Sequence, residues 1–217
     1  MILYATPLSS YSAKVRIVLC AKGVAFEERE PVDGYRSAAY RAIVPMGTLP
    51  ALDDHGFVLS ESEAINEYLE ECFPEPPLLP RTPAARARAR FLARFHDLYL
   101  EPPVRGLFPH VGPLRRDPVA VAARIAELRR RVAQLAAMVE PAPYLAGEHL
   151  GLADCGYAVT LPLAGMLFAA LGDTLALPAP IDHWQGVLGR HPAVGRALAG
   201  WRPATERWIA ARLVETV

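Results

Sequence analysis

The sequence predicts an α/β domain with the element order βαβαββα, followed by an all-helical domain. Strand-like and helix-like patterns alternate over the first third of the 217 residues. Five prolines then fall between positions 74 and 83, a density that neither a helix nor a central strand tolerates. The patterns beyond them are helical. We therefore predict a first domain over 1–75, a proline-rich linker over 76–83 and a helical domain over 84–217.

The elements of the first domain follow from local patterns of apolar and turn residues. Val15, Val18 and Leu19 share one face of a helix that Gly23 is suited to end. Asp54-His55-Gly56 separates two apolar runs and indicates a hairpin turn. The predicted strands and helices, in chain order, are 2–4, 11–21, 25–30, 35–43, 50–53, 57–60 and 61–72.

The last of these helices has a start signal of its own. Ser60 is followed three residues later by Glu63, which is the spacing of a capping box. The box predicts that the helix begins at about Glu61 and continues to Cys72.

Two long amphipathic helices and one apolar helix are predicted in the second domain. The amphipathic helices are predicted to bury Phe91, Leu92, Phe95, Leu98 and Tyr99 in the first and Ile125, Leu128, Val132, Leu135 and Val139 in the second. The segment from Tyr157 to Leu171 is apolar, but it is too short to span a bilayer and contains Pro162. We expect it to be a core helix, with Gly151 and Asp154 forming half of a capping box ahead of it.

Composition and charge exclude several classes of function. The chain has 23 basic and 23 acidic residues, so it has no broad electrostatic attraction to nucleic acid or to an anionic membrane. Its three cysteines are odd in number and widely spaced, which favours free thiols in a reducing cytoplasm over a disulfide framework. The amino terminus has no basic region or cleavage site of a signal peptide. No metal-binding spacing is found among the six histidines, so no metal is expected.

A hydroxyl-rich segment, Ser9-Ser10-Tyr11-Ser12, stands between the first strand and the first helix. A hydroxyl at this corner, with a helix N-terminus behind it, can hold an anion or a thiolate. The simpler interpretation is that one of the serines only caps the helix. Redox exchange through a mixed disulfide is excluded at this corner, because serine has no thiol.

Three segments together resemble the cytosolic glutathione transferases. They are the segment from Ser9 to Arg16, the segment from Met46 to Leu52, and Glu61-Ser62. The family has the same order of elements, with a thioredoxin-like first domain, a linker and a helical domain. Within the family, the first segment is similar to the serine-type active site of the zeta, tau and theta classes.

The resemblance implies a catalytic serine. Counting back from Lys14-Val15-Arg16 places Ser9 at the catalytic position, with Ser10 as the second candidate. A free thiol has a pKa of about 8.5, so little thiolate is present at neutral pH. A hydroxyl that donates to the sulfur, near a helix N-terminus, favours the charged form. The implied activity is attack of the glutathione thiolate on a small hydrophobic electrophile.

The resemblance also implies a set of contacts to glutathione. In the family, the proline that corresponds to Pro50 follows a cis peptide bond. The residue before it, which is Leu49 here, pairs by its backbone with the cysteinyl part of glutathione. Glu61 would take the γ-glutamyl ammonium and Ser62 the carboxylate, although both residues would also serve as a helix cap. The full set of implied contacts is Tyr11, Tyr35, Thr48, Leu49, Pro50, Glu61 and Ser62, with Arg36 beside Tyr35 as a further partner for the glycyl carboxylate.

Other implications concern the second substrate and the assembly. Phe95, Tyr99 and Phe108 are candidates for the electrophile pocket, although aromatic residues at helical spacing are also typical of a core. Two alternatives to conjugation remain open: a zeta-like, glutathione-dependent cis-trans isomerase of maleyl-keto acids, and a non-catalytic binding or regulatory protein of the same fold. The family also implies a homodimer, with the first domain of one subunit against the helical domain of the other.

Overall fold

A four-stranded mixed sheet forms the first part of the protein. In this computed structural model, which describes residues 1–215, the strand order is β2-β1-β3-β4. β1 runs parallel to β2, with Leu3 opposite Glu28, and antiparallel to β3, with Leu3 opposite Leu52. The strands and helices of this part are β1 (Ile2–Tyr4), α1 (Ser10–Lys22), β2 (Glu27–Arg29), α2 (Ala38–Ile43), β3 (Ala51–Asp54), β4 (Phe57–Ser60) and α3 (Ser62–Cys72). The predicted order βαβαββα is confirmed.

In the second part, up to residue 215, the structure contains helices and no strand, which confirms the predicted fold class. No helix or strand is assigned between Cys72 and Pro83. The helices are α4 (Pro83–Phe95), a π-helical turn (His96–Leu100), α5 (Glu101–Arg105), α6 (Pro118–Met138), α7 (Leu152–Cys155), α8 (Tyr157–Ala170), α9 (Ala179–Arg190), α10 (Pro192–Leu198) and α11 (Trp201–Leu213), with two short 3-10 helices at Phe108–His110 and Pro113–Arg115. The three cysteines are free, as predicted.

Helix α1 is enclosed almost completely. The side chains of Val15, Val18 and Leu19 are buried as predicted, and Gly23 ends the helix with a φ of 66°. Lys14 and Arg16 are buried as well. The reason is that α1 packs against α3 of the first part and against α7, α8 and α10 of the second part. The helix therefore holds the two parts of the protein together.

The hairpin between β3 and β4 forms where the sequence predicted it. His55 and Gly56 have φ values of 53° and 95°, and positive φ at both central residues is the geometry of a type I′ turn. The Asp53 carboxylate accepts a hydrogen bond from the Gly56 amide at 2.8 Å. The hairpin fixes the position of β4 and hence the start of α3.

The predicted capping box at Ser60 and Glu63 is wrong. Ser60 remains in β4, paired with Ala51, and α3 begins at Ser62 with Glu61 in the N-cap position. Glu61 makes no side-chain capping bond. The Glu63 carboxylate instead lies 2.6 Å from Lys14 Nζ. Neutralising a buried ammonium takes precedence over capping, because an unpaired buried charge is far more costly.

Two elements are shorter than predicted. β2 covers only Glu27–Arg29 of the predicted strand, and α2 begins at Ala38. The start of α2 is set by Ser37, whose hydroxyl accepts a hydrogen bond from the Tyr40 amide at 3.1 Å. Tyr35 and Arg36 therefore lie in a loop ahead of the helix.

The apolar face predicted for α4 and its continuation is only partly correct. Leu92 and Phe95 are buried, whereas Phe91, Leu98 and Tyr99 are exposed by 44%, 52% and 43%. The π-helical turn from His96 to Leu100 interrupts the α-helical periodicity on which the prediction depended. The face predicted for α6 is confirmed, since all five of its residues are buried.

The apolar segment of α7 and α8 forms part of the core. Leu152–Ala170 is long and apolar enough to cross a membrane by length and composition, but 78% of that stretch is buried inside the protein. Burial of this kind is expected of a core helix. Asp154 accepts a hydrogen bond from the Gly151 amide at 2.9 Å, which is the half of the capping box that the sequence retains.

Candidate functional site

A cleft of about 680 Å³ lies between the sheet and the helical part of the protein. The three segments singled out from the sequence meet there, since Ser9, the Leu49-Pro50 pair and the Glu61-Ser62 pair all line it. The size is ordinary for a site that binds a small molecule. The predicted residues that line the cleft are Ser9, Tyr11, Tyr35, Thr48, Leu49, Pro50, Glu61, Ser62 and Phe108, together with Arg36.

Ser9 caps α1 through its hydroxyl oxygen, and the same hydroxyl can still donate a hydrogen bond. Its Oγ accepts a hydrogen bond from the Ser12 amide at 3.1 Å, which makes it the N-cap. Within the described residues no acceptor is found for the Ser9 hydroxyl proton. The two interpretations of this serine are therefore compatible, because the same oxygen can cap the helix and donate into the cleft.

Ser10 has a different environment from its neighbour. It is only 4% exposed, and its hydroxyl donates to Glu101 Oε1 at 2.5 Å in the interior between α1 and α5. The structure places Ser9 on the wall of the cleft and Ser10 behind that wall. Of the two serine candidates, Ser9 is the one with the geometry to contact a ligand in the cleft.

The loop before β3 presents backbone groups to the cleft. The Leu49-Pro50 bond is cis, and in the described part of the chain the amide and carbonyl of Leu49 have no backbone partner. The Thr48 carbonyl accepts a hydrogen bond from the Tyr40 hydroxyl at 2.9 Å, which holds the loop in place. Gly47 has a φ of 60°, and a Cβ there would lie 3.0 Å from the Tyr35 carbonyl, so glycine permits this close approach. An extended peptide could pair with the backbone of Leu49.

Glu61 has an unusual backbone conformation for a residue with a side chain. Its φ of 75° lies in the left-handed region, and such positions cost about 1–3 kcal/mol and concentrate at functional sites. The conformation brings Glu61 to the cleft wall and places Ser62 at the first position of α3. The free amides of a helix N-terminus and the Ser62 hydroxyl can hold a carboxylate there.

The helical wall of the cleft differs from the predicted one. Phe108 lines the cleft, but Phe95 and Tyr99 do not. Phe95 is buried in the core with its ring centre 5.5 Å from that of Tyr99, and Tyr99 lies under the Arg131 guanidinium at 4.8 Å. The π-helical turn changes the direction of the side chains that follow Phe95 and is the physical reason for the difference.

Several residues of this wall were missed from the sequence. They are Arg94, Asp97, Leu98 and Arg105, with Arg41 and Met46 on the opposite side. The spacing of Glu101 and Arg105, four residues apart, is the one signal that could have indicated an ion pair. The others depend on how α4 is placed against the sheet.

Tyr11 lies between two cations at the edge of the cleft. The Arg105 guanidinium is 5.1 Å and the Lys14 ammonium 5.8 Å from the centre of its ring. Burial, followed by the charges of Glu101 and Asp97, raises the pKa of the Tyr11 phenol well above its usual value. Tyr11 is therefore a neutral hydrogen-bond donor at physiological pH and not a base.

Asp97 is a charged carboxylate in the same wall. Burial by itself would raise its pKa, but a hydrogen bond from His96 at 2.8 Å and the charge of Lys14 outweigh burial and hold the pKa at about 2. Lys14 Nζ lies 2.8 Å from Asp97 Oδ1. The wall of the cleft therefore contains the Asp97 carboxylate, whose negative charge is already neutralised by the buried ammonium of Lys14.

The low pKa of Asp97 predicts an acid-dependent loss of stability. A carboxylate whose pKa is lower in the folded state stabilises the protein above its unfolded pKa of 3.8, and that contribution is lost as the pH falls towards 2. We expect the free energy of unfolding to fall by about 2 kcal/mol more in the wild type than in Asp97→Asn between pH 4 and pH 2. Urea unfolding at a series of pH values measures the difference. Asp33→Asn, in an exposed loop, is the control, and equal pH profiles for the wild type and Asp97→Asn would contradict the prediction.

Comparison with known proteins gives the family. Residues 3–77 match the model of the glutathione S-transferase N-terminal domain. A glutathione S-transferase of Pseudomonas putida is 33% identical over 91% of this chain and 90% of its own length. The chain belongs to the glutathione S-transferase family. The chain is also 35% identical to a stringent starvation protein A homolog of Pasteurella multocida, over 74% of its own length and 73% of the relative's.

A solved structure agrees with the assignment over nearly the whole chain. The theta-class glutathione S-transferase of Xanthomonas axonopodis pv. citri, determined with glutathione bound, superposes with a TM-score of 0.75 at 26% identity. The match covers 91% of the present chain and 96% of the theta-class chain. The resemblance stated from the motifs is therefore confirmed for the fold and the family.

Proposed function

We propose that this protein binds glutathione in the cleft and that the Ser9 hydroxyl stabilises its thiolate for attack on a small hydrophobic electrophile. The observation that carries the proposal is the unused Ser9 hydroxyl proton in a cleft that also offers the Leu49 backbone and the N-terminus of α3. The theta-class relative with bound glutathione supports the choice of ligand.

Each part of the tripeptide has a matching group in the cleft. The cysteinyl backbone would pair with Leu49, which leaves the thiol beside Ser9. The γ-glutamyl carboxylate would accept from Ser62 at the start of α3, and Glu61 would take the ammonium. For the glycyl carboxylate we propose Tyr35 and Arg36, with Thr48 at the floor of the cleft.

The chemical step requires little from the protein beyond charge stabilisation. The thiol proton leaves to solvent, and the Ser9 hydroxyl donates to the sulfur of the thiolate, which lowers the thiol pKa. The sulfur then bonds to the electrophilic carbon. Either a leaving group departs with the electrons of its bond to that carbon, or the thiolate adds to a double bond and the resulting carbanion takes a proton from solvent. Phe108 and Leu98 would supply apolar contact to the electrophile, while the neutral phenol of Tyr11 could donate to a developing anion.

A regulatory function without catalysis is the second candidate. It is supported by the similarity to the stringent starvation protein A homolog of P. multocida over three quarters of the chain. A purely regulatory protein would have no need of a serine that activates a thiol. The two functions therefore differ in the behaviour of bound glutathione.

We also propose a cytoplasmic homodimer. Large apolar side chains are exposed on both parts of the protein, with Phe57 on β4 exposed by 53% and Phe91 on α4 by 44%. The family arrangement would place the first domain of one subunit against the helical domain of the other, and pairing these exposed side chains across that interface would remove apolar area from water.

Ser9→Ala tests the transferase proposal. We expect calorimetry to show that wild type and variant bind glutathione with similar affinity. We also expect the pKa of the bound thiol to be about two units higher in the variant, which lowers the rate of conjugation about a hundredfold at pH 6. Thiolate absorbance against pH and the rate with halogenated aromatics and maleyl-keto acids measure these effects.

Ser12→Ala is the matched control, because its side chain is fully buried and does not line the cleft. It should behave as the wild type in both assays. If the wild type binds glutathione without lowering the thiol pKa, the transferase proposal fails and the regulatory function is favoured. If the wild type does not bind glutathione, the assignment of the cleft fails as a whole.

A further inference from the structure

A continuous chain of polar side chains, all buried except Asp97 at the wall of the cleft, runs from Ser10 to Lys14 through the helical part of the protein. Ser10 donates to one oxygen of Glu101 at 2.5 Å, and Thr160 donates to the other at 2.6 Å. His96 Nε2 lies 2.7 Å from Thr160 Oγ1, and its Nδ1 lies 2.8 Å from Asp97 Oδ1. Asp97 Oδ1 accepts from Lys14 Nζ at 2.8 Å. The chain therefore leaves α1 at Ser10 and returns to it at Lys14, one helical turn later.

The π-helical turn is what brings His96 and Glu101 together. In a regular α-helix, side chains five residues apart point about 140° away from each other. Here the Glu101 amide donates to the His96 carbonyl, which is the hydrogen bond of a π-turn. The wider turn lets both side chains reach the single hydroxyl of Thr160 on α8.

Two prolines in the sequence favour this wider turn. Glu101 is followed by Pro102 and Pro103, which have no amide proton and whose rings clash with the carbonyl four residues earlier. An α-helical continuation through this point is therefore disfavoured. A widened turn accommodates the two prolines while the helix continues into α5.

A glycine makes room for the His96 ring. A Cβ at position 156 would lie 2.6 Å from His96 Nδ1 and 2.7 Å from its Cε1, so any larger residue would displace the imidazole. Tyr157 then packs edge-on against the ring at a centroid distance of 5.1 Å. The position of His96 is thus determined from both sides.

We propose that Glu101, Thr160 and His96 are positioning residues that fix the first turn of α1 through Ser10, and so hold the Ser9 hydroxyl in the direction of the cleft. Ser10 is thereby assigned to positioning and Ser9 to contact with the ligand. The inference rests on the proposed thiol activation by Ser9. It assigns a supporting role at that site to residues as far along the chain as Thr160, which is 151 positions from Ser9.

Stability alone is a poor explanation for the chain. Ionisable side chains that are as buried as Glu101 (0% exposed), Lys14 (1%) and His96 (2%) lose their hydration, and a well-packed apolar cluster of equal volume is often as stable or more stable. A paired polar network restricts the geometry, because breaking one of its bonds leaves a buried group without that partner. Arg105 Nη1, 3.4 Å from both Ser10 Oγ and Glu101 Oε1, supports the same arrangement from the cleft side. Fixing the geometry of a catalytic turn is a role that apolar packing would perform less precisely.

Thr160→Val tests the proposal, with Thr160→Ser and Thr205→Val as controls. Valine keeps the shape but removes the hydroxyl between His96 and Glu101, whereas serine keeps the hydroxyl. Thr205 is equally buried, but its hydroxyl donates to the Trp201 carbonyl within α11, away from the chain. We expect Thr160→Val to lower the thiolate fraction of bound glutathione about tenfold at pH 6, with Thr160→Ser close to the wild type.

Hydrogen exchange in the free protein gives a readout that does not depend on glutathione. We expect the amides of Ser12 and Ala13, which donate to the hydroxyl and the carbonyl of Ser9, to exchange at least about tenfold faster in Thr160→Val than in Thr205→Val when the two variants are matched in global stability. If the two variants agree in both thiol titration and exchange, the chain is not a positioning device and the inference is overturned. A wild type that leaves the thiol pKa unchanged would overturn thiol activation, while the exchange rates would still decide whether the chain fixes this turn.

Discussion

Glu70→Ala is expected to destabilise the protein by about 4 kcal/mol. The Lys22 ammonium is completely enclosed and pairs with the Glu70 carboxylate, and it also donates to the Pro76 carbonyl at 2.7 Å. The same carboxylate accepts hydrogen bonds from the Leu78 and Leu79 amides, both at 3.0 Å. Its removal leaves a buried charge and two backbone donors without their partner.

Chemical denaturation measures the loss, and Glu71→Ala is the matched control. Glu71 is the next residue in α3, but it is exposed, so the same truncation should change the free energy of unfolding by less than about 1 kcal/mol. Glu70→Gln should lower the free energy of unfolding by an intermediate amount. The amide oxygen can still accept hydrogen bonds from the linker amides, but the charge that pairs with Lys22 is lost. Equal midpoints for Glu70→Ala and Glu71→Ala would show that the carboxylate does not anchor the linker.

Asp154→Ala is the second substitution with a large expected cost, also about 4 kcal/mol. Asp154 is fully buried and accepts from the Leu145 amide at 3.0 Å, the Gly151 amide at 2.9 Å and Trp184 Nε1 at 2.9 Å. These donors belong to the loop before α7, the start of α7 and helix α9. Without the carboxylate, three buried donors lose their acceptor at the point where these segments meet.

The pH dependence of this effect has a definite sign. Burial raises the pKa of Asp154 to about 6, although its three hydrogen bonds oppose the change. A carboxyl group whose pKa is higher in the folded state binds more protons there, so its contribution to stability falls as the pH rises from about 4 to about 6. The difference in unfolding free energy between wild type and Asp154→Ala should therefore be larger at pH 4 than at pH 7.

The control for Asp154 is Asp182→Ala, since Asp182 is exposed in the first turn of α9. It should cost less than about 1 kcal/mol at either pH. A variant Asp154→Ala that unfolds at the same denaturant concentration as Asp182→Ala would contradict the role assigned to the three hydrogen bonds.

The capping interpretation of Ser9 and its functional interpretation could not be separated from the sequence. Both require a hydroxyl at the N-terminus of α1, and the local pattern is the same for each. The structure shows that capping uses only the oxygen of Ser9, whereas Ser10 is turned into the interior by Glu101. The partner that separates the two serines is 91 residues away in sequence, so no local pattern contains it.

The sequence by itself determined the elements of the sheet domain, the family and most of one wall of the cleft. Turn residues such as His55-Gly56, the caps of α1 and the Leu49-Pro50 loop act over a few residues, and short-range preferences are readable from a single chain. The sequence also determined the buried face of α6, because that helix keeps one periodicity throughout.

Only the tertiary structure decided the other wall of the cleft and the buried charges behind it. The π-turn exposes Tyr99, leaves Phe95 in the core and brings Asp97 to the cleft. The two prolines after Glu101 disfavour a regular α-helix, but the wider turn is held by contacts of His96 and Glu101 with Thr160 on α8, which no local pattern contains. Glu63 pairs with Lys14 and does not form the predicted helix cap. A buried charge requires a partner that is close in space, and that partner cannot be identified from the local sequence. Periodicity describes one element at a time, whereas charge neutralisation and helix placement depend on several elements packed together.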